Sequence, residues 1–136
     1  MIGPMKVDVQ IESNIDGERI TQHIEGDVYP KESHYYLRYE EPSAELKGTV
    51  TTIRLEHESI RIIRQGGVRS EQTFVCGKRL RGYYDTPQGR LELETETRTL
   101  AVDLTEGLGT VEWSYVLYAM GEASGAYRLK LTISAR

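Results

Sequence analysis

The sequence predicts an all-β fold, a single antiparallel barrel of about ten strands joined up and down. Three observations carry this. Apolar and polar residues alternate singly in segment after segment, as in Tyr127, Leu129, Leu131 and Ile133 against Arg128, Lys130, Thr132 and Ser134. That two-residue period belongs to a strand with one covered face. The segments are short and regularly separated by turn residues such as Asn14-Ile15-Asp16-Gly17, Gly66-Gly67 and Gly107-Leu108-Gly109, and no stretch has helical spacing. So many strands would leave many unpaired edges, and closure into a barrel is the simplest way to hide them.

Taken in order, Met5, Val7, Val9 and Ile11 form the apolar face of a first strand. Arg19 to Ile24 resumes extended structure, with a bulge or bend expected at Gly26 and a stop at Tyr29-Pro30. His34 to Glu41 is the third strand, with Tyr35, Leu37 and Tyr39 on one face and Tyr36, Arg38 and Glu40 on the other; the pattern leaves open which face points inward. Pro42 to Gly48 reads as a loop, and Thr49 to Leu55 as a strand. A tight turn at His57-Glu58 then places Leu55 opposite Ile60, Ile53 opposite Ile62 and Thr51 opposite Arg64, at the cost of bringing Arg54 and Arg61 together outside.

The next strand is expected near Gln72 to Val75, ending at Cys76-Gly77. Arg79 to Asp85 leads into a hairpin in which Pro87 and Gly89 suit the second and last positions of a type I turn. A four-residue loop from Thr86 to Gly89 sets Asp85 opposite Arg90, Arg81 opposite Glu94 and Tyr84 opposite Leu91. The alternative, a three-residue loop with Gly89 as a bulge, turns Arg81, Tyr83 and Asp85 inward. Leu100 to Leu104 reads as a separate short segment, Val111, Trp113, Tyr115 and Leu117 as the next strand face, and Gly121 to Gly125 as a flexible loop before the last strand.

Length and composition narrow the function. One domain, residues 1–136, accounts for the whole chain, since 136 residues can bury an ordinary core. No apolar run approaches the roughly 20 residues of a membrane span, and Met1 to Lys6 lacks the apolar centre of a secretory leader, so a cytoplasmic address is expected. A net charge of −4 with basic residues scattered singly argues against a nucleic-acid partner. His23, His34 and His57 are far apart and Cys76 is the sole cysteine, so neither a metal site nor a cysteine nucleophile is expected. The carboxylates Glu92, Glu94 and Glu96 share a face with Arg79 and Arg81 across the hairpin and read as a solvated outer surface. No cofactor and no catalytic residue are expected.

Arg64 is the most informative polar residue, because it extends the apolar row of Ile60 and Ile62, where an unanswered charge is costly. Either it forms a salt bridge to Glu40 or Asp85, or it binds an anion in the barrel, with Tyr39, Tyr84, Trp113 and Tyr115 supplying walls and hydroxyls. The first functional reading is therefore a non-catalytic module for a small amphiphilic ligand, anionic in one form of the reading. The second is a structural or interaction barrel with a packed core, homodimeric through exposed strands or a tyrosine-rich face. A third, an enzyme with a dispersed acid and base, requires two ionisable groups to converge inside.

Tyr36-Leu37-x-Tyr39-Glu40, Ile62-Ile63-Arg64-x-Gly66, Phe74-Val75-x-Gly77 and Tyr84 followed by Gly89-x-Leu91-x-Leu93, with the late strand of Tyr115, together resemble the YwiB-like family of small bacterial proteins. The likeness extends from about residue 5 to 134. It implies a calycin-like barrel, related in architecture to lipocalins and fatty-acid-binding proteins, and it implies no catalytic residue.

Overall fold

A computed structural model describes residues 3–136; Met1 and Ile2, the start of the stretch inspected for a leader, lie outside the described residues. Ten strands close into one antiparallel barrel. They are β1 (Met5–Ile15), β2 (Glu18–Lys31), β3 (His34–Glu40), β4 (Thr49–Leu55), β5 (Ser59–Gly66), β6 (Arg69–Val75), β7 (Arg79–Thr86), β8 (Gly89–Thr105), β9 (Leu108–Ala119) and β10 (Glu122–Ala135). Each pairs with its neighbours in sequence, and β10 returns to β1. No helix among the described residues is long and apolar enough to cross a membrane.

The hairpin registers follow the alternation. Leu55 stands opposite Ile60, Ile53 opposite Ile62 and Thr51 opposite Arg64. Arg54 does meet Arg61 on the outside, and each guanidinium is answered by a carboxylate, Arg54 by Glu56 at 2.6 Å and Arg61 by Glu71. The β7–β8 hairpin takes the four-residue form, with Asp85 opposite Arg90 and Tyr84 opposite Leu91. Tyr35, Leu37 and Tyr39 of β3 point inward, settling the face that the pattern left open.

Several boundaries differ from expectation. β2 runs unbroken, and Gly26 stands in regular register opposite Val7, so it is not a bulge. What requires glycine there is the approach of β3, since a Cβ would come within 2.9 Å of the Arg38 carbonyl oxygen. β3 ends at Glu40, which leaves Glu41 outside the strand. β6 begins at Arg69 because Arg69 and Ser70 pair with Asp85 and Tyr84. Leu100 to Leu104 is the far half of β8, joined to the near half through a bulge at Arg98 that switches the inward set from Leu91, Leu93, Thr95 and Thr97 to Leu100, Val102 and Leu104. Most of the stretch Gly121–Gly125 is strand, with a second irregularity between Ala123 and Gly125.

The core occupies one end of the barrel. Val7, Val28, Leu37, Leu55, Ile60, Phe74, Val111, Trp113 and Leu131 are essentially inaccessible there. Phe74 lies 4.6 Å from Tyr115 and 5.7 Å from Trp113 between ring centroids, in tilted contacts, and Tyr115 stacks parallel on Tyr127 at 5.0 Å. The β6–β7 ladder has three residue pairs, and neighbouring groups supplement it: Thr95 Oγ1 donates to the Thr73 carbonyl at 2.8 Å, and the Gly77 amide donates to the Thr97 carbonyl at 2.8 Å.

Phe74→Ala removes the ring on which the other aromatics lean and should cost about 3–5 kcal/mol. Met120→Ala, at a turn residue 84% exposed, should change stability by less than about 0.5 kcal/mol. Urea unfolding monitored by Trp113 fluorescence measures both; equal costs would contradict a core placed at Phe74.

Candidate functional site

Cross-strand pairing builds the site. Tyr39 stands opposite Thr51, Thr51 opposite Arg64, Arg64 opposite Ser70, Ser70 opposite Tyr84 and Tyr84 opposite Leu91. Directly opposed residues share a face, so this is one inward row across six strands. The next row is apolar on three strands, Leu37, Ile53 and Ile62, before it reaches Gln72 on β6. The charged and hydroxyl-bearing row around Arg64 lies at the barrel end formed by the start of β4 and the end of β5, while Thr95 and Thr97 of β8 are further inward hydroxyls away from it.

Arg64 does face inward, with a side chain 27% exposed. Its nearest carboxylate is Glu41, whose Oε2 lies 4.0 Å from Arg64 Nε, close enough for charges to attract and too far for a hydrogen bond. Glu41 is 9% exposed, and both its Oε2 and Arg64 Nε are buried without hydrogen-bond partners. The same holds for the hydroxyls of Thr51 and Ser70. A buried polar atom without a partner costs free energy that the fold must offset elsewhere.

Two tyrosines line this charge pair. Tyr39 is pushed up to about 12, by burial first and by the Glu41 carboxylate second, while Arg64 opposes the rise. Its phenol lies beside Thr51 without closing a hydrogen bond of normal geometry. Tyr115 is raised further, by burial and then by the stacked Tyr127, and again Arg64 opposes. Both phenols therefore stay protonated at neutral pH and offer hydroxyls, not charge.

The six residues singled out from sequence separate into three groups. Arg64, Tyr39 and Tyr84 belong to the polar row, and Tyr115 lies within electrostatic reach of Arg64. Trp113 is 1% exposed in the core, so it is a packing residue and not a free wall, although its indole Nε1 has no partner. Glu40 is exposed on the outer face. The expected salt bridge to Glu40 or Asp85 is therefore corrected: alternation turns residue 40 outward, Asp85 is held by Arg90 at 2.7 Å outside, and Glu41 supplies the inner carboxylate. Sequence reasoning missed Glu41, although alternation in the strand expected from His34 to Glu41 sets it on the face of Tyr35, Leu37 and Tyr39, and its amide continues the β3–β4 register by donating to the Thr49 carbonyl. It also missed Ser70, which a hairpin register extended to Arg69 would have placed against Arg64.

Candidate metal centres are absent among the described residues. Arg79 pairs with Glu94 at 3.1 Å and Arg98 with Glu96 at 3.0 Å, so the acidic face of β8 is an ordinary outer surface. Cys76 is exposed and donates weakly to the Arg98 carbonyl at 3.2 Å. Outer grooves such as the 470 Å³ cleft of Arg81, Tyr83, Arg90, Glu92 and Tyr118 hold no comparable set of buried unpartnered groups.

Two measurements check the site. Because the folded value of Tyr39 lies above that of an unfolded tyrosine near 10, the native state holds this proton more tightly, and the stability it confers is complete below about pH 10 and lost as pH rises towards 12. Tyrosinate absorbance should show two protected phenols in wild type, and Glu41→Gln should lower the Tyr39 midpoint. Arg64→Met should cost about 3 kcal/mol by stranding Glu41, and Arg64→Met with Glu41→Leu should recover most of it; an additive double variant would refute their coupling.

Comparison with known proteins agrees with this architecture. The chain is 28% identical over 122 residues to the "Uncharacterized beta-barrel protein YwiB" of Bacillus subtilis strain 168, covering 90% of this chain and 85% of that one. The crystal structure of YwiB from Bacillus subtilis superposes with a TM-score of 0.81 at 25% identity, over 98% of this chain and 93% of the other. The family model described as "Domain of unknown function (DUF1934)" matches residues 5–131, and the chain belongs to that family.

Proposed function

We propose that the protein is a non-catalytic, cytoplasmic binding module that takes a small amphiphilic ligand at the Arg64 end of the barrel. The observation that carries the reading is the 4.0 Å gap between Arg64 Nε and Glu41 Oε2, two buried atoms without partners. One ligand hydroxyl seated against both, to the side of the line that joins them, accepts from the guanidinium and donates to the carboxylate. The hydroxyls of Thr51 and Ser70, also unpartnered, offer further contacts to a polyhydroxylated head, and the half-buried Tyr84 offers a ring face to its apolar part.

This chemistry favours a neutral head over an anionic one. A phosphate or carboxylate facing Arg64 would also face Glu41, and a like charge in a partly desolvated site is costly. The packed aromatic end argues for a ligand seated at the mouth, not one threaded along the axis. The same filled interior favours the second reading, a barrel that acts through its outer surface.

Titration calorimetry with octyl glucoside and octyl phosphate, both below micellar concentrations, tests the proposal. Saturable binding of the glucoside is expected, at least about tenfold weaker in Arg64→Gln, and Glu41→Gln should shift preference towards the phosphate. Failure of both amphiphiles to bind, or binding unchanged in Arg64→Gln, would overturn it.

A further inference from the structure

The long strand β2 is covered along only part of its length. From Asp27 to Lys31 it pairs with β3, beginning with Asp27 opposite Arg38. From Glu18 to Glu25 it pairs with β1 on one side, while no β3 residue stands opposite it on the other. Glu18 to His23 are exposed, and Ile20 is 45% exposed, a large apolar side chain left in water. An uncovered edge of this length presents a row of free amides and carbonyls to any strand that can match it.

We propose that the matching strand is β2 of a second copy, paired antiparallel about a twofold axis beside Gln22. Regular antiparallel pairing requires opposed residues both to turn their amides towards each other or both away. For two identical strands the axis must therefore pass beside a residue. An axis at His23 would engage Asp27 with Arg19, but Asp27 already pairs with β3. An axis at Thr21 would set Arg19 against His23 and Glu18 against Ile24, leaving neither charge answered. With the axis at Gln22, Arg19 of each copy meets Glu25 of the other, Ile20 meets Ile24, Thr21 meets His23, and the two Gln22 side chains meet each other. Opposite charges share one face and the aliphatic residues the other, which is the pattern that favours a register. Glu25 is already paired with the Arg136 guanidinium, yet its side chain remains 70% exposed and open to a second cation.

The interface is isologous, so exchange of its charges gives a direct test. Sedimentation equilibrium on the full chain should show a concentration-dependent dimer for wild type. Arg19→Glu places two acidic residues opposite each other in the homodimer, and Glu25→Arg places two basic ones. Each variant should be monomeric alone, or at least about tenfold weaker in self-association, and an equimolar mixture should recover a dimer because each contact is then Glu against Arg. Far-ultraviolet circular dichroism confirms that both variants keep the barrel. A wild type that stays monomeric at several hundred micromolar, single variants that dimerise as wild type does, or a mixture that stays monomeric would each overturn the proposal.

Discussion

The constraint on which the rest depends is the inward position of Arg64. Ile60 and Ile62 must face the core, alternation has a period of two, and residue 64 follows them onto the same face. Turning the guanidinium outward would require a one-residue slip in β5, and that slip would expose both isoleucines. The charge is therefore held in place by the apolar residues beside it in the strand. What remains adjustable is its surroundings: hydroxyl residues at Thr51 and Ser70 on the flanking strands, Tyr39 and Tyr84 beyond them, and a carboxylate from outside the sheet.

That carboxylate arrives on the β3–β4 connection, whose course is fixed by close backbone packing. The Glu41 amide donates to the Thr49 carbonyl at 2.9 Å, and the chain then makes a single 3-10 turn at Ala44–Leu46, capped by the Ser43 hydroxyl. Its return is clamped against the β5–β6 turn: the Gly67 amide donates to the Gly48 carbonyl at 3.2 Å, and the Val68 amide to Thr49 Oγ1 at 3.0 Å. Gly66 has φ +120, and a Cβ there would stand 2.1 Å from the Gly48 carbonyl oxygen, so both backbone conformation and space require glycine. The loop that delivers Glu41 and the turn that follows Arg64 are thus one packed unit, which fixes the separation of the two charges.

Alternation made the ten-strand barrel, the β4–β5 and β7–β8 registers and the inward placement of Arg64 legible in the sequence, because each depends on local period and turn chemistry. The parts that were not legible depend on pairing across longer distances. Gly26 has the composition of a bulge, but the approaching β3 backbone is what demands a small residue. The switch from Leu91 and Leu93 to Leu100, Val102 and Leu104 is a change from odd to even apolar positions, a written trace of the Arg98 bulge, yet in the sequence a phase change of this kind looks the same as a break between two elements. Glu40 and Glu41 fall on opposite faces of the expected third strand by alternation alone. Which of the two faces is inward is decided only by the pairing of β3 with β2 and β4, and that pairing turns Tyr39 and Glu41 in and Glu40 out.

The tyrosine content follows from the same division of the barrel. At the packed end, Phe74 and Trp113 fill space and are almost inaccessible. Towards the polar end, Tyr39, Tyr84 and Tyr115 replace purely apolar rings, combining a large apolar body with a hydroxyl where water and polar side chains begin. Burial keeps the Tyr39 and Tyr115 phenols protonated, and the guanidinium that would favour their ionisation is itself balanced by Glu41. His23, His34 and His57 stand outside this arrangement, in β2, in β3 and in the β4–β5 turn. The mouth therefore has a carboxylate and a guanidinium fixed near each other amid neutral hydroxyls, a field that suits a group able to donate and accept at once better than one carrying a full charge of its own.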